Sequence, residues 1–165
     1  MAGLFLHNRL ITVRTVKQTD AGQLSSLLSD RQTVEQSGLQ LPDPANAAAW
    51  QWALLALTTS NMLVIEERSS EQLAGLISLV GDGPTLELGY LLGPAFRGRG
   101  LMTMAIDLLL APLATQQQPV AVVATTDQDN VASIAVLRRT GFKWRARNQD
   151  QRQVKWRWTN NQQKN

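Results

Sequence analysis

The stretch Leu86 to Thr103, LELGYLLGPAFRGRGLMT, restricts the fold more than any other part of the chain. Residues 85–92 read as a strand. Gly93-Pro94 breaks it, and Gly98-Arg99-Gly100 forms a loop. Residues 100–111 then place Leu101, Ala105, Leu108 and Leu109 at helical spacing. Pro112 is expected to end or kink that helix. A second strand follows at 120–125, apolar enough to be buried on both faces, as a central parallel strand is. Strand, helix and strand in this order require a right-handed crossover and a parallel pair.

Around that unit the pattern is antiparallel. Residues 9–16 read as a first strand. Thr19 or Asp20 caps a helix carrying Leu24, Leu27 and Leu28. Asp43-Pro44 reads as a cap with proline at the first helical position, ahead of the stripe Trp50, Ala53, Leu54 and Leu57. Residues 61–67 and 73–80 form a hairpin, and Gly81-Asp82-Gly83-Pro84 turns into the next strand. Asp129 or Asn130 caps a helix with Ile134 and Leu137 inward, closed by Gly141-Phe142. Residues 143–148 and 154–159 make a last hairpin, with Val154, Trp156 and Trp158 on one face and Lys155 and Arg157 on the other. The expected order is β-α-α-β-β-β-α-β-α-β-β. The expected fold is α/β: a mixed, mostly antiparallel sheet with one parallel pair and helices on both faces. A length of 165 residues suits one domain, 1–165.

Composition removes several functions. No apolar run approaches the ~18 residues of a membrane span, and residues 1–6 lack the length and basic start of a signal peptide. Without cysteine there is no disulfide scaffold, thiolate metal site or cysteine nucleophile. The single histidine, His7, argues against a histidine metal centre, so no metal is expected. A reducing, cytoplasmic setting is expected. The net charge of +3 tolerates anionic partners but shows no nucleic-acid arm.

The loop has chemistry of its own. Gly98 and Gly100 let backbone approach a ligand closely. The unpaired N–H groups and dipole of the following helix attract an anion, and Arg97 and Arg99 add full charges. That combination suits phosphate or pyrophosphate. The plainer alternative is a tight strand-to-helix connection. No Gly-Lys-Ser/Thr follows, so it is not a Walker loop, and the third glycine of a dinucleotide fingerprint is missing.

Arg97-Gly98-Arg99-Gly100-Leu101-Met102 after a strand ending Gly-Tyr-Leu-Leu-Gly-Pro resembles the acyl-CoA loop of GNAT-family N-acetyltransferases. Asn130-Val131-Ala132-Ser133, followed by Leu137 and Gly141-Phe142, resembles the Asn-x-x-Ser…Gly-Phe pattern of the RimJ/RimL-like branch, which includes ribosomal-protein N-terminal acetyltransferases. The resemblance implies acetyl-CoA as co-substrate. Its pyrophosphate would lie on residues 97–102, continuing to Thr103, and its pantetheine arm beside Tyr90, Leu91 and Leu92. Asn130 and Ser133 would complete the cofactor contacts. The acceptor is an amine, on a protein N-terminus or a small molecule. Nucleic acid enters only through ribosomal substrates, no membrane is involved, and the chain is a monomer or homodimer.

Acetyl transfer to an amine needs a neutral amine, donors for the oxyanion and a proton for the departing thiolate. With no cysteine for an acyl intermediate, direct attack in a ternary complex is the simplest route. The resemblance gives Ser133 the place beside the thiolate; otherwise it is a helical serine bonded to nearby backbone. Asn130 orients the cofactor or a water, or is a plain N-cap. Glu87, between Leu86 and Leu88 on a central strand, is the candidate general base, expected to be partly buried with its pKa pushed upward; the alternative is a salt-bridged or solvent-facing residue. Two departures from the branch stand out. Thr103-Met104-Ala105 replaces Thr-Glu-Ala, and the segment after Gly-Phe offers Asp150 and Arg152 where a glutamate is usual. A small-molecule acetyltransferase, a non-catalytic acyl-CoA-binding module and a basic RNA-associated domain are the alternatives.

Overall fold

The computed structural model describes residues 3–118, 120–148 and 152–160. Its elements are β1 (Phe5–His7), β2 (Ile11–Thr15), α1 (Ala21–Leu28), α2 (Arg31–Ser37), α3 (Ala47–Thr58), β3 (Leu63–Glu67), β4 (Gln72–Val80), β5 (Thr85–Leu92), α4 (Leu101–Ala114), β6 (Ala121–Asp127), α5 (Val131–Arg139), β7 (Lys143–Arg147) and β8 (Gln153–Thr159). Contacts divide the chain into two compact units: Met1–Ser78 with Tyr90–Leu101, and Leu79–Gly89 with Met102–Asn165. Strand neighbours run β1-β2-β3-β4-β5 in the first and β4-β5-β6-β8-β7 in the second, with β4 and β5 divided between both.

In the first unit β1 to β4 pair antiparallel in sequence order. Leu24 and Leu28 of α1 and Trp50 and Leu54 of α3 close a core with Val64 and Leu76. Trp50 satisfies its one donor on Ser25 Oγ at 3.0 Å. Two elements here lie beyond the expected order. β1 is a three-residue edge strand pairing Phe5 with Arg14. α2 is a short helix capped by Asp30, whose side chain accepts from Thr33 N, and stopped by left-handed Gly38 at φ 74°.

The start of α3 also differs. Asp43-Pro44 does not cap it. Asn46 does, accepting from Ala49 N at 3.3 Å, while the Asp43 carboxylate caps a turn through Ala45 N at 2.9 Å. An Asx turn satisfies aspartate as well as a helix start does, which displaces the helix by one turn. Asp20 sits at the N-cap of α1 but makes no capping bond. Its carboxylate accepts from Lys17 N and forms a bidentate pair with Arg14, both contacts at 2.9 Å. Arg14 also meets Glu66 at 2.7 Å, and both Arg14 and Asp20 are buried.

In the second unit Thr85, Leu86 and Glu87 pair parallel with Ala121, Val122 and Val123, giving the expected parallel pair. β8 lies antiparallel between β6 and β7. Val154, Trp156 and Trp158 are buried, and Trp156 donates to Thr126 Oγ1 at 3.0 Å. Met102, Ala105, Ile106 and Leu109 form the buried stripe of α4. Pro112 does not end α4, which continues to Ala114. So near the C-terminus it deletes one intrahelical bond, and its ring falls where few turns remain to distort. α5 closes as expected. Gly141 is left-handed at φ 88°, its N–H donates to Arg138 O, and Phe142 N–H donates to Leu137 O, a Schellman ending with Phe142 buried. The pairing is mixed α/β, and no helix among the described residues is long and apolar enough to cross a membrane.

Candidate functional site

β5 ends in half-buried Tyr90, buried Leu91 and half-buried Leu92. Gly93 N–H donates back to Ala74 O at 2.8 Å, and Pro94–Phe96 makes one 3-10 turn. Arg97 is extended, then Gly98 and Gly100 turn left-handed at φ 73° and 74°, with Arg99 between them. A side chain at either glycine would be strained. A Cβ placed on Gly98 would meet nothing within 4 Å, so the backbone there borders open space. α4 begins at Leu101, and its first turn carries no acidic residue.

Leu101 and Met102 turn into the core. Thr103 does something different. Its Oγ1 is buried without a hydrogen-bond partner, alone in this among the side-chain atoms of the described residues. A helical threonine ordinarily returns its hydroxyl to the carbonyl one turn earlier, but Thr103 stands in the first turn, and the residue four before it is loop residue Arg99. A buried, unpaired hydroxyl costs about 1–3 kcal/mol, and this one stands at the end of the loop.

Both loop arginines are exposed and held from one side. Arg97 Nε donates to Leu92 O at 3.3 Å, and its Nη2 donates to Thr33 Oγ1 at 2.6 Å. Arg99 pairs with Glu67, at the end of β3. The other Glu67 oxygen accepts from Ser70 Oγ at 2.7 Å. The Ser70 hydroxyl and then Arg99 hold the Glu67 carboxyl below the usual range. Thr33, Asp30 and Glu67 were not legible as site residues. They lie 64, 67 and 32 positions from the arginines they support, directly or through Thr33, and carry no local motif.

At the start of α5, Asn130 is the N-cap and its side chain accepts from Ser133 N at 3.1 Å. Asn130 and Ser133 are therefore together, both half-buried in one helical turn. Glu87 corrects an expectation: it is exposed, not partly buried. The two leucines beside it do not shelter it. Successive strand residues face opposite ways, so buried Leu88 puts Glu87 on the other face. Asp150 lies outside the described residues; Arg152 is exposed.

Residues 10–143 match the family described as the acetyltransferase (GNAT) domain. No curated protein sequence matches the chain. Among solved structures, the fold is similar to a GNAT-family acetyltransferase from Bacillus anthracis, with 13% identity and a TM-score of 0.75 over 94% of this chain and 97% of that one. It is similar to RimL, the ribosomal L7/L12 alpha-N-protein acetyltransferase solved with coenzyme A, at 20% identity and a TM-score of 0.76 over 94% and 97%. The ribosomal-protein-S5-alanine acetyltransferase from Vibrio fischeri follows, at 17% and 0.71 over 98% and 100%.

The chain thus belongs to the GNAT acetyltransferase family. It is an acetyl-CoA-dependent N-acetyltransferase, with acetyl-CoA as co-substrate and an amine as acceptor. The residues present fit an anionic co-substrate. Two left-handed glycines, an acid-free helix start, two exposed guanidinium groups and the unpartnered Thr103 hydroxyl all favour a phosphate-bearing ligand.

Proposed function

We propose that the chain acetylates the N-terminal α-amine of a protein or peptide, with residues 1–165 acting as one catalytic domain in the cytoplasm. Residues 97–102 and Thr103 hold the pyrophosphate, and Tyr90, Leu91 and Leu92 border the pantetheine arm. The observation that carries the cofactor reading is the left-handed pair Gly98 and Gly100 leading into the acid-free first turn of α4, with exposed Arg97 and Arg99 around them. The peptide acceptor is supported by the Asn130…Ser133…Gly141-Phe142 pattern and by the names of the RimL and S5-alanine acetyltransferase structures.

Bound acetyl-CoA supplies an activated thioester. Ser133, half-buried at the start of α5, donates a proton to the leaving sulfur. Asn130 fixes the turn that carries Ser133, through the bond to its backbone N–H. Glu87 is exposed, so the acceptor's proton is taken by water rather than by this carboxylate. The test is acetyl transfer from radiolabelled acetyl-CoA to two panels: short peptides with free N-termini, and amino acids, amine metabolites and amine antibiotics. Label on peptide α-amines supports the reading. Label only on small molecules replaces the acceptor, and binding with no transfer to either panel points to the non-catalytic alternative.

A further inference from the structure

The first arginine of the cofactor loop does not stand alone. We propose that Thr33, in the first turn of α2, is a positioning residue for acetyl-CoA binding: backed by Asp30, it aims the Arg97 guanidinium at the co-substrate's anionic part. This rests on residues 97–103 being the cofactor loop.

The hydrogen-bond chemistry permits only one direction. A threonine hydroxyl has one proton and two lone pairs, an ionised carboxylate only accepts, and a guanidinium only donates. Thr33 Oγ1 contacts Asp30 Oδ2, which takes its proton. The lone pairs that remain face Arg97 Nη2 at 2.6 Å. The chain runs Arg97 to Thr33 to Asp30 and cannot be reversed. Asp30 is itself fixed, because the same oxygen accepts Thr33 N–H at 2.9 Å. The Thr33 hydroxyl and amide keep the Asp30 carboxyl below its usual range, with Arg97's charge adding to that.

At its other edge Arg97 is set by Nε on the Leu92 carbonyl at 3.3 Å. Two anchors on different atoms fix the plane of the guanidinium rather than merely its location. An arginine so held loses less rotamer freedom on meeting a phosphate, and preorganisation of that kind is worth affinity. The helix does not need the hydroxyl, because the cap of α2 is the Asp30–Thr33 N–H bond. Thr33 itself is buried, so valine fills its volume and removes the hydroxyl, both the acceptor for Arg97 and the donor to Asp30, while the Thr33 N–H bond to Asp30 stays.

The experiment measures the dissociation constant for acetyl-CoA by calorimetry. It compares wild type with Thr33→Val, Thr33→Ser, Arg97→Ala and the Thr33→Val/Arg97→Ala double variant, with thermal midpoints as a folding control. Thr33→Val is expected to weaken binding about three- to tenfold. Thr33→Ser restores it, and Thr33→Val adds nothing once Arg97 is alanine. The proposal is overturned if Arg97→Ala weakens binding while Thr33→Val does not. It is equally overturned if Thr33→Val costs the same in both backgrounds, since its effect then does not pass through Arg97. Wild-type binding that Arg97→Ala leaves untouched would instead reject the loop reading, and this proposal with it.

Discussion

Arg14 and Arg97 are the same side chain in opposite settings. Arg14 lies 7% exposed and meets two carboxylates, Asp20 and Glu66. Arg97 is exposed and leans on neutral oxygens, a hydroxyl and a carbonyl. The first charge is neutralised within the fold and has nothing left to offer a ligand. The second keeps its charge and gains a direction. Depth, not residue type, separates the two settings, and Arg99 shares the exposed one although its partner is the Glu67 carboxylate.

The largest expected effect tests the buried side. Arg14→Ala leaves Asp20 buried without its counter-charge and is expected to cost about 3–5 kcal/mol in urea unfolding. Arg97→Ala should stay within about 0.5 kcal/mol of wild type, as a surface change does. Equal losses would erase the distinction.

Acid titration sharpens the same side. Burial pushes the Asp20 carboxyl up, but the Arg14 hydrogen bond and the Lys17 amide outweigh it, and the net shift is downward. A lowered folded value means that this stability is complete above the unfolded aspartate value of about 3.9. It disappears as pH falls through the folded value. Asp20→Asn should lower stability at neutral pH and flatten the acid limb of stability against pH. An unchanged acid limb would place the effect elsewhere.

On the exposed side, Arg97→Ala and Arg99→Ala should each weaken acetyl-CoA binding about five- to tenfold, and added salt should narrow both losses. The smallest effect belongs to Asn130→Ala, which removes a cap worth about 1 kcal/mol in thermal melting. Asn130→Asp should retain most of it.

The cofactor loop was legible because everything that defines it is local. Strand, Gly-Pro break, paired glycines and helix follow within 18 residues, and backbone geometry is what the glycines encode. The parallel pair and the Gly141 ending were legible for the same reason. α2 was missed although Asp30 and Gly38 mark its ends, because Val34 is its only large apolar residue and no stripe forms. β1 was missed because two of its three residues face solvent. Glu87 was misjudged by reading its sequence neighbours as spatial ones. The supports of Arg97 and Arg14 could not be read at all, since Thr33 and Glu66 reach them only through folding, across 64 and 52 positions.

The central claim is that residues 97–103 bind acetyl-CoA. Its most direct test is the thermal midpoint of wild type and Gly100→Trp with acetyl-CoA, CoA or NAD, each variant referred to its own ligand-free midpoint. At about one hundred times the dissociation constant, binding adds about 2.7 kcal/mol. Wild type should therefore be stabilised by both CoA species and not by NAD, and Gly100→Trp by none of them. No shift with either CoA species, or a shift that survives Gly100→Trp, would contradict the assignment.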